Sequence, residues 1–331
     1  MTTALTTLPI HRWLTFSDSW SPASVEFLLD RVKADHPLVI YDPFVGCGTT
    51  SVVCAEKGMG TIGCDISSLA IATTRIKLEP PSEQALHKIE GLVKESELEK
   101  LLSSFASRTL STRASGSLLQ LLQFVLAAVL LRIGWHEGAS LEMSHVAAEI
   151  SKLVSEMRAD SQAGATPLLH HRTYCSEFFA LNACDIISFT QAKVAMISSP
   201  PFFGSNFNPA IRRLESLLGE PTLSTGALRR SPSWSVPEAL PILNLFRREE
   251  YYNPIADYLF FLDRIVTHAG EIGCRAVALE MGPKHINGHE VRFDLFLAER
   301  LLANDYRIDL FETTELEPEP CTSICAHARA C

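Results

Sequence analysis

The stretch Leu38-Val-Ile-Tyr-Asp-Pro-Phe-Val-Gly-Cys-Gly-Thr-Thr50 decides the fold. Its first four residues are apolar and predict a buried strand. Gly46 and Gly48 follow, and without Cβ atoms they permit positive φ and let a ligand lie against the backbone. A helical pattern then runs from Val52 to Lys57 and ends at Gly58. A strand, a glycine turn and a helix in this order predict a nucleotide site of the doubly wound α/β type.

A second strand, Thr61-Ile-Gly-Cys-Asp65, is predicted next, followed by a helix from Ser67 to Lys77. Because Asp65 stands at the carboxyl end of its strand, it can accept hydrogen bonds from both hydroxyl groups of a bound ribose. The same carboxylate could instead cap the following helix. We expect Thr49 or Thr50 to cap the helix after the glycine turn, so that its free N–H groups face a ligand. The third glycine of a dinucleotide fingerprint is missing, which argues against a nicotinamide or flavin cofactor.

A second candidate site follows the apolar run Val194-Ala-Met-Ile197, which predicts a buried parallel strand. The motif Ser199-Pro-Pro-Phe202 comes next, and its prolines end the strand because neither can donate to a ladder. A small polar residue, a rigid carbonyl group and a ring suit the binding of a flat heterocycle that carries an amino group. A Pro-Pro pair after a strand can also be a simple turn. Asp185, expected at the end of a third strand, could accept from an adenine amino group or cap a helix.

The composition is that of a globular protein, since 47% of the 331 residues are hydrophobic and 20% are charged. The net charge of -9 argues against a uniformly basic protein that binds nucleic acid. Any contact with nucleic acid must then come from a local basic face. Three arginine pairs either form such a phosphate-binding face or are ordinary solvated residues: Arg212 and Arg213, Arg229 and Arg230, and Arg247 and Arg248.

The cellular compartment is indicated by the cysteines and by the start of the chain. Nine cysteines are scattered through the sequence, and Met1 to Ile10 show no basic region followed by an apolar one. These features predict reduced thiols in the cytoplasm. The apolar run 118–131 contains Gln120 and Gln123 and is shorter than the roughly twenty residues of a membrane span. It therefore predicts a buried helix, and no membrane association is expected.

We interpret residues 1–331 as a single α/β domain with two irregular regions. Residues 80–170 break the alternation of strand and helix, and their amphipathic patterns predict a helical insertion of three or four helices. Residues 203–250 are rich in turn residues and are a candidate region for target recognition. Asn287-Gly288 is the strongest hairpin signal in the chain.

Both ends of the chain carry further candidate features. Ser21-Pro22 predicts the start of a helix. The aromatic residues before it either cover the edge of the core or wall a planar cofactor: Trp13, Phe16 and Trp20. At the other end, residues 315–331 contain two prolines and are predicted to be a flexible tail. Four side chains in this tail could bind zinc, but their spacing is not that of a known finger and no metal is expected: Cys321, Cys325, His327 and Cys331.

Together these motifs resemble those of the S-adenosylmethionine-dependent DNA amino-methyltransferases of the cytosine-N4 and adenine-N6 type. The stretch Asp42–Thr50 matches the cofactor loop of that family, and Ser199–Phe202 matches its catalytic motif. The resemblance covers residues of about 11–80 and 174–310. It implies a Rossmann-like class I methyltransferase sheet, mostly parallel, with an antiparallel hairpin on the C-terminal side. The helical insertion departs from the family pattern and leaves the recognition region open between 80–170 and 203–250.

The resemblance also implies the functional residues. The catalytic ones are Ser199, Pro200, Pro201 and Phe202. S-adenosylmethionine would be held by the cofactor loop, a ribose acid, an adenine-side acid and the N-terminal aromatic motif: Asp42, Phe44, Gly46, Gly48, Thr49, Asp65, Asp185 and Trp13. No metal and no covalent intermediate is required.

The substrate expected from the resemblance is double-stranded DNA, with methyl transfer to an exocyclic amino group of a flipped base. Ser199 favours N4 of cytosine, because Ser-Pro-Pro-aromatic motifs are commonest in cytosine-N4 enzymes of the family. A cytosine-C5 enzyme would need a Pro-Cys nucleophile here, and the chain has that pair only at Pro320-Cys321. Adenine N6, the guanine amino group of tRNA, a protein glutamine and a non-catalytic scaffold role are the alternatives. The resemblance places such an enzyme at the nucleoid of a prokaryotic cytoplasm and allows a companion restriction or defence protein.

Overall fold

The computed structural model describes residues 8–16, 19–32, 38–106, 117–135, 140–162, 171–175, 193–201, 214, 254–281, 284–286, 289–314 and 321–329. Several sequence predictions fall outside these residues and stay predictions: Phe202, Asp185, all three arginine pairs and the candidate recognition region 203–250.

The helices follow one another along the chain after a short 3-10 turn at His11–Trp13. They are α1 (Pro22–Val32), α2 (Thr49–Glu56), α3 (Ser68–Leu78), α4 (Glu83–Leu92), α5 (Glu95–Ala106), α6 (Ser117–Arg132), α7 (Met143–Gln162), α8 (Pro254–Glu271) and α9 (Phe293–Ala303). The strands are β1 (Leu38–Asp42), β2 (Gly60–Asp65), β3 (His171–Cys175), β4 (Lys193–Ser198), β5 (Ala276–Met281), β6 (Lys284–Ile286), β7 (His289–Val291), β8 (Tyr306–Thr314) and β9 (Cys321–Ala328).

Seven of the described strands form one mixed sheet in the order β3-β2-β1-β4-β5-β9-β8. The pairs β2–β3, β1–β4 and β4–β5 are parallel, whereas β9 pairs antiparallel with both β5 and β8. Parallel strands joined through helices, with an antiparallel pair at one edge, define the doubly wound α/β class. The predicted fold class is therefore confirmed.

The described residues fall into two compact units. The first takes its residues from Met1–Pro22, Val45–Cys175 and Phe207–Thr222. The second takes its residues from Ala23–Phe44, Ser176–Asn206 and Leu223–Cys331.

The core of the first unit is built largely by α4 to α7, which lie in the stretch where the sequence predicts a helical insertion. Helix α6 is buried along most of its length and packs against the apolar face of α7. This packing explains the continuous apolar run in the sequence, because a helix that is apolar all round must be covered on every side. Within the part of the chain described, no helix combines the length and the apolar character that crossing a membrane requires.

The second unit contains the most buried strands. Every residue of β1 and β5 is buried, as expected for strands covered on both faces. Helix α1 begins at Pro22, as predicted, and buries an apolar stripe: Val25, Leu28, Leu29 and Val32. Strands β6 and β7 pair antiparallel on either side of the Asn287-Gly288 signal and form a separate two-stranded sheet.

The prediction of a flexible tail is wrong for most of its length. Residues Cys321–Ala328 form β9, which lies between β5 and β8 in the sheet. Thr322, Ile324 and Ala326 are buried at alternate positions, but Cys325 between the last two is buried as well, so the period-two pattern is short and interrupted. The two prolines precede the strand, where a missing N–H donor costs no ladder bond.

Candidate cofactor and catalytic site

The glycine turn adopts the backbone conformation that its composition predicts. Gly46 and Gly48 have φ of 50° and 84°, in the left-handed region that glycine enters without strain. The N–H of Gly48 donates to the carbonyl of Val45 at 2.8 Å and closes the turn. A Cβ atom on Gly48 would lie 2.8 Å from Oγ1 and 3.2 Å from Cα of Thr74 on α3. The second glycine is therefore required both by its φ and by the close approach of α3.

The cap of the following helix differs from the prediction. Helix α2 has Gly48 as its N-cap and no hydrogen bond from a capping side chain. Thr49 and Thr50 are instead its first two residues, and both are buried. The α2 terminus thus starts from a bare glycine turn, which suits an approaching ligand better than a side-chain cap would.

Asp65 links the end of β2 to the glycine turn. Its Oδ2 accepts a hydrogen bond of 2.9 Å from the N–H of Gly46, and its Oδ1 accepts one of 2.8 Å from the N–H of Ser67. Ser67, rather than Asp65, is the N-cap of α3 and accepts from the N–H of Ala70. The carboxylate is half-buried and held in one orientation by two backbone groups. A carboxylate has about four acceptor positions, so this role is compatible with accepting ribose hydroxyl groups as well.

Trp13 does not have the exposed position that a cofactor wall requires. Its side chain is completely buried in the core that contains the inserted helices. Its indole Nε1 donates a hydrogen bond of 2.8 Å to Oδ2 of Asp160 on α7. In this structure Trp13 is a core residue, the alternative that the sequence left open. The reason is that Asp160 offers the indole N–H the partner that a buried tryptophan needs.

Lys77 connects the N-terminal segment, residues 8–16, to the glycine turn. Its buried ammonium group donates to three backbone carbonyl groups, those of His11 at 3.2 Å, Leu14 at 2.6 Å and Cys47 at 2.9 Å. Burial lowers the pKa of Lys77, since it disfavours the charged form. Three carbonyl acceptors match the three donors of an ammonium group and compensate for the water that it has lost.

The thiol of Cys47, between the two glycines, is held by the same group of residues. Its Sγ lies 2.9 Å from Oγ of Ser19. Burial would raise the pKa of Cys47, but the Lys77 ammonium and the hydroxyl groups of Ser19 and Thr49 lower it by more. The glycine turn therefore carries a fixed, buried side chain at its centre.

In the second unit, Asp42 joins the carboxyl ends of two parallel strands. Asp42 ends β1 and is almost fully buried, and its Oδ1 accepts hydrogen bonds from the N–H of Phe44 and from the hydroxyl of Ser198. Ser198 ends β4 and directly precedes the catalytic motif of the sequence prediction. The residue predicted to begin the cofactor loop is thus bonded to the residue before Ser199.

The Ser-Pro-Pro turn is held at its other end by Tyr258 of α8. Ser199 and Pro201 are half-buried, whereas Pro200 is buried. The hydroxyl of Tyr258 donates to the carbonyl oxygen of Pro201 at 2.9 Å. The turn is therefore fixed by Asp42 through the residue before it and by Tyr258 through its last proline.

An aromatic chain links this turn to Phe44. The ring of Phe44 lies 5.5 Å from that of Phe261, which lies 5.8 Å from the ring of Tyr258, measured between centroids. Tyr258 also makes an edge contact with Phe293 of α9 at 4.8 Å. Such offset and edge contacts stabilise rings in fixed positions.

Sequence reasoning missed four of these residues: Ser198, Lys77, Asp160 and Tyr258. Three of them had no local signal, because their partners are far away in the chain. Ser198 stands immediately before the motif and could have been noticed as a polar residue at the end of an apolar strand. No group of three or more metal-ligating side chains occurs within the described parts of the chain.

Comparison with known proteins gives short matches to type II methyltransferases. The Type II methyltransferase M.MjaII of Methanocaldococcus jannaschii is 36% identical over 80 residues, which are 24% of this chain and 15% of that protein. The Type II methyltransferase M.BsoBI of Geobacillus stearothermophilus is 32% identical over 89 residues, 26% of this chain and 17% of that protein. The matches thus span less than a fifth of either relative. No protein-family model matches the chain.

Two solved methyltransferase structures resemble the chain weakly over most of its length. The magnesium protoporphyrin IX methyltransferase ChlM of Synechocystis with bound SAH gives a TM-score of 0.41 at 9% identity and covers 93% of this chain and 80% of ChlM. The rRNA methyltransferase aviRa of Streptomyces viridochromogenes gives 0.37 at 12% identity and covers 98% of this chain and 93% of aviRa. The fold assignment rests on the strand order described above.

Proposed function

We propose that this chain is an S-adenosylmethionine-dependent methyltransferase that modifies an exocyclic amino group of a flipped base in double-stranded DNA, with N4 of cytosine as the preferred target. The observation that carries the proposal is the bond between Asp42 and Ser198. It joins the start of a cofactor-type glycine loop to the start of a Ser-Pro-Pro turn. The short matches to type II methyltransferases support DNA as the substrate class.

The residues of the glycine turn fit S-adenosylmethionine. Gly46 presents half-exposed backbone at positive φ, and Asp65 is a half-exposed carboxylate at the end of β2. We assign Asp65 to the ribose hydroxyl groups, Gly46 and Gly48 to the close approach of the cofactor, and Phe44 to contact with it. Asp42 holds the start of the loop, because its almost fully buried carboxylate accepts a hydrogen bond from the N–H of Phe44. S-adenosylmethionine supplies an activated methyl group on a sulfonium that is a good leaving group.

The Ser-Pro-Pro turn would hold the amino group that reacts. An exocyclic amino nitrogen is a poor nucleophile because its lone pair is delocalised into the ring. The carbonyl of Pro200 and the hydroxyl of Ser199 can each accept one N–H, which favours a pyramidal nitrogen with its lone pair directed at the methyl group. The new bond would join this nitrogen to the methyl carbon as the carbon–sulfur bond broke with its electron pair left on sulfur, which gives S-adenosylhomocysteine. The extra proton of the methylated nitrogen would then pass to solvent. Positioning supplies most of the rate gain.

Stacking on the base and binding of phosphates are assigned to residues outside the described parts of the chain. Phe202 would stack on the flipped base, and base–aromatic stacking stabilises binding by about 1–3 kcal/mol. The arginine pairs at 212–213, 229–230 and 247–248 would bind phosphates, which gives affinity without sequence preference. Residues 203–250 or the helical insertion would recognise the target sequence. A companion restriction or defence protein and a place at the nucleoid belong to the same proposal.

The proposal is tested by methyl transfer from labelled S-adenosylmethionine to three acceptors in parallel: double-stranded DNA, tRNA and protein. We expect label in DNA, loss of transfer in Ser199→Ala, and loss of S-adenosylhomocysteine binding in Asp65→Ala by calorimetry. Ser199→Ala should bind the cofactor product normally, because Ser199 is not assigned to the cofactor. Label in tRNA or protein without label in DNA would overturn the substrate class. Binding of a dinucleotide in place of the cofactor would overturn the activity.

A further inference from the structure

We infer that Lys77 and Asp160 are positioning residues for the glycine turn, and that the inserted helices α4 to α7 serve to hold the N-terminal segment in place beside that turn. The inference deepens the proposed function, since it rests on the glycine turn being the cofactor loop. It assigns a role to a part of the chain that the family pattern does not explain. All residues involved belong to the first unit.

The inserted helices bind the N-terminal segment through hydrogen bonds to Asp160, near the end of α7. Its Oδ2 accepts from the backbone N–H of Ile10 at 2.8 Å, from Nε of Arg12 at 3.2 Å and from Nε1 of Trp13 at 2.8 Å, and its Oδ1 pairs with the Arg12 guanidinium. The residue is only 4% exposed. A buried carboxylate needs such partners, since an unpaired buried charge is strongly destabilising. Asp160 thus fixes three successive parts of the segment at one point.

A second inserted helix holds the same segment. Arg132, at the end of α6, donates from Nη2 to the backbone carbonyl of Arg12 at 2.6 Å and to Oε2 of Glu156 on α7 at 2.7 Å. The guanidinium therefore ties α6, α7 and the segment together. A planar fork with several donors is suited to joining a carbonyl and a carboxylate in this way.

Lys77 connects the N-terminal segment, once it is fixed, to the glycine turn. One ammonium group binds two carbonyls of the N-terminal segment, His11 and Leu14, and the carbonyl of Cys47 between the two glycines. The side chain is 2% exposed, so water cannot replace any of these acceptors. Loss of one acceptor would leave a buried donor unsatisfied. Lys77 thus adds to the bonds from Asp65 and Val45 a support of the turn that depends on the segment being in place.

The consequence concerns cofactor affinity. A turn with two glycines at positive φ has many alternative conformations when it is unsupported. A ligand that must first order such a turn binds more weakly, whereas a turn ordered in advance binds more tightly. Lys77 orders the glycine turn directly through its hydrogen bond to Cys47, and Asp160 orders it indirectly by fixing the N-terminal segment.

The test compares Lys77→Met and Asp160→Asn with a control of similar instability. Leu153→Ala removes a fully buried side chain of α7 but none of the hydrogen bonds described here. Calorimetry with S-adenosylhomocysteine, well below the melting temperature of every variant, should show dissociation constants raised at least tenfold in Lys77→Met and Asp160→Asn. Leu153→Ala should stay within twofold of the unaltered protein. An equal loss of affinity for S-adenosylhomocysteine in all three variants would show that general instability causes the loss, and would overturn the inference.

A second measurement does not depend on the ligand. Hydrogen exchange of the ligand-free protein should be at least tenfold faster for amides of residues 45–50 in Lys77→Met than in Leu153→Ala. In Asp160→Asn, the exchange rate should rise more in residues 8–16 than in residues 45–50. If the unaltered protein does not bind S-adenosylhomocysteine, the proposed function fails, and exchange in residues 45–50 alone decides whether Lys77 positions the turn. Unchanged exchange there would overturn the positioning role whatever the ligand.

Discussion

Tyr258 donates its hydroxyl hydrogen bond, 2.9 Å long, to the carbonyl oxygen of Pro201 in the Ser-Pro-Pro turn. The tyrosine side chain is 1% exposed, and its ring lies against Phe261 and Phe293. Because the ring cannot move freely, the hydroxyl holds the carbonyl in one place. Helix α8 thereby sets the direction of the turn that we assign to the reacting amino group.

The first prediction is that Tyr258→Phe lowers kcat for methyl transfer and leaves the dissociation constant of S-adenosylhomocysteine unchanged. The substitution keeps the ring contacts and removes one hydrogen bond, which contributes about 1 kcal/mol and corresponds to a roughly three- to tenfold slower reaction. Steady-state and single-turnover kinetics with labelled S-adenosylmethionine measure the effect.

Tyr306→Phe is the matched control for Tyr258→Phe. Tyr306 is also a buried tyrosine, and its hydroxyl donates to the backbone carbonyl of Cys274 at 3.0 Å. The control loses the same kind of bond and should keep kcat. A positioning role for Tyr258 is contradicted if both variants lose the same fraction of kcat.

The second prediction concerns Gly48→Ala, for which Gly58→Ala is the control. Both glycines have positive φ, 84° and 69°, but only Gly48 faces a close neighbour, Thr74. Positive φ alone costs an alanine about 1–2 kcal/mol. Gly58→Ala should lose roughly that free energy of unfolding, and Gly48→Ala should lose clearly more, as measured by urea denaturation. Equal losses would show that α3 gives way at Thr74 without cost.

The third prediction is that a chain ending at residue 314 does not fold. The deletion removes β9 from its place between β5 and β8 and exposes both neighbouring strands along their edges. Circular dichroism and size-exclusion chromatography should show an unfolded or aggregated product. A chain ending at residue 329 keeps all of β9 and should fold. A folded, monomeric product ending at residue 314 would contradict this prediction and support the sequence prediction that residues 315–331 are a flexible tail.

The fourth prediction uses the acid dependence of stability. Burial would raise the pKa of Asp294, but hydrogen bonds from Arg292 and Thr322 lower it by more, so that it lies below its ordinary 3.8. A carboxylate whose folded pKa is depressed stabilises the protein above the unfolded pKa, and this stability is lost as pH falls through the folded pKa. Asp294→Asn should therefore lower the free energy of unfolding at pH 7 and flatten its fall below about pH 4.

The control for Asp294→Asn is Asp309→Asn, on β8. Asp309 is also paired, with Arg307 and His327, but at the surface. Exposed ion pairs contribute little, so this variant should change stability by about 1 kcal/mol or less. An equally large loss of unfolding free energy in Asp309→Asn would contradict the prediction, because an exposed ion pair would then stabilise the protein as much as buried Asp294 does.

The sequence predicted those elements whose pattern is local. Strand β1, helix α1 and the glycine turn follow from apolar runs, a Ser-Pro start and two glycines, and each lies where expected. Strand β9 was missed because its alternation is short and follows two prolines that also suit a flexible end.

The residues that hold the candidate site in place could not be predicted because their partners are far away in the sequence. Asp160 and Arg12 are separated by 148 positions, and Lys77 and Leu14 by 63. Nothing in the sequence around Lys77 indicates that three distant carbonyls will surround it. Trp13 gave a similar difficulty, since an aromatic residue before a strand suits a cofactor wall and a core position equally well.

The most direct test of the central claim is nucleoside mass spectrometry of double-stranded DNA incubated with the protein and S-adenosylmethionine that carries a trideuterated methyl group. We predict trideuterated N4-methyl-2′-deoxycytidine, absent when Ser199→Ala replaces the unaltered protein. N6-methyladenine as the sole product would contradict the assignment of cytosine and keep the class of enzyme. A folded protein that binds S-adenosylhomocysteine but leaves every DNA nucleoside unlabelled, while it labels tRNA, would contradict the account.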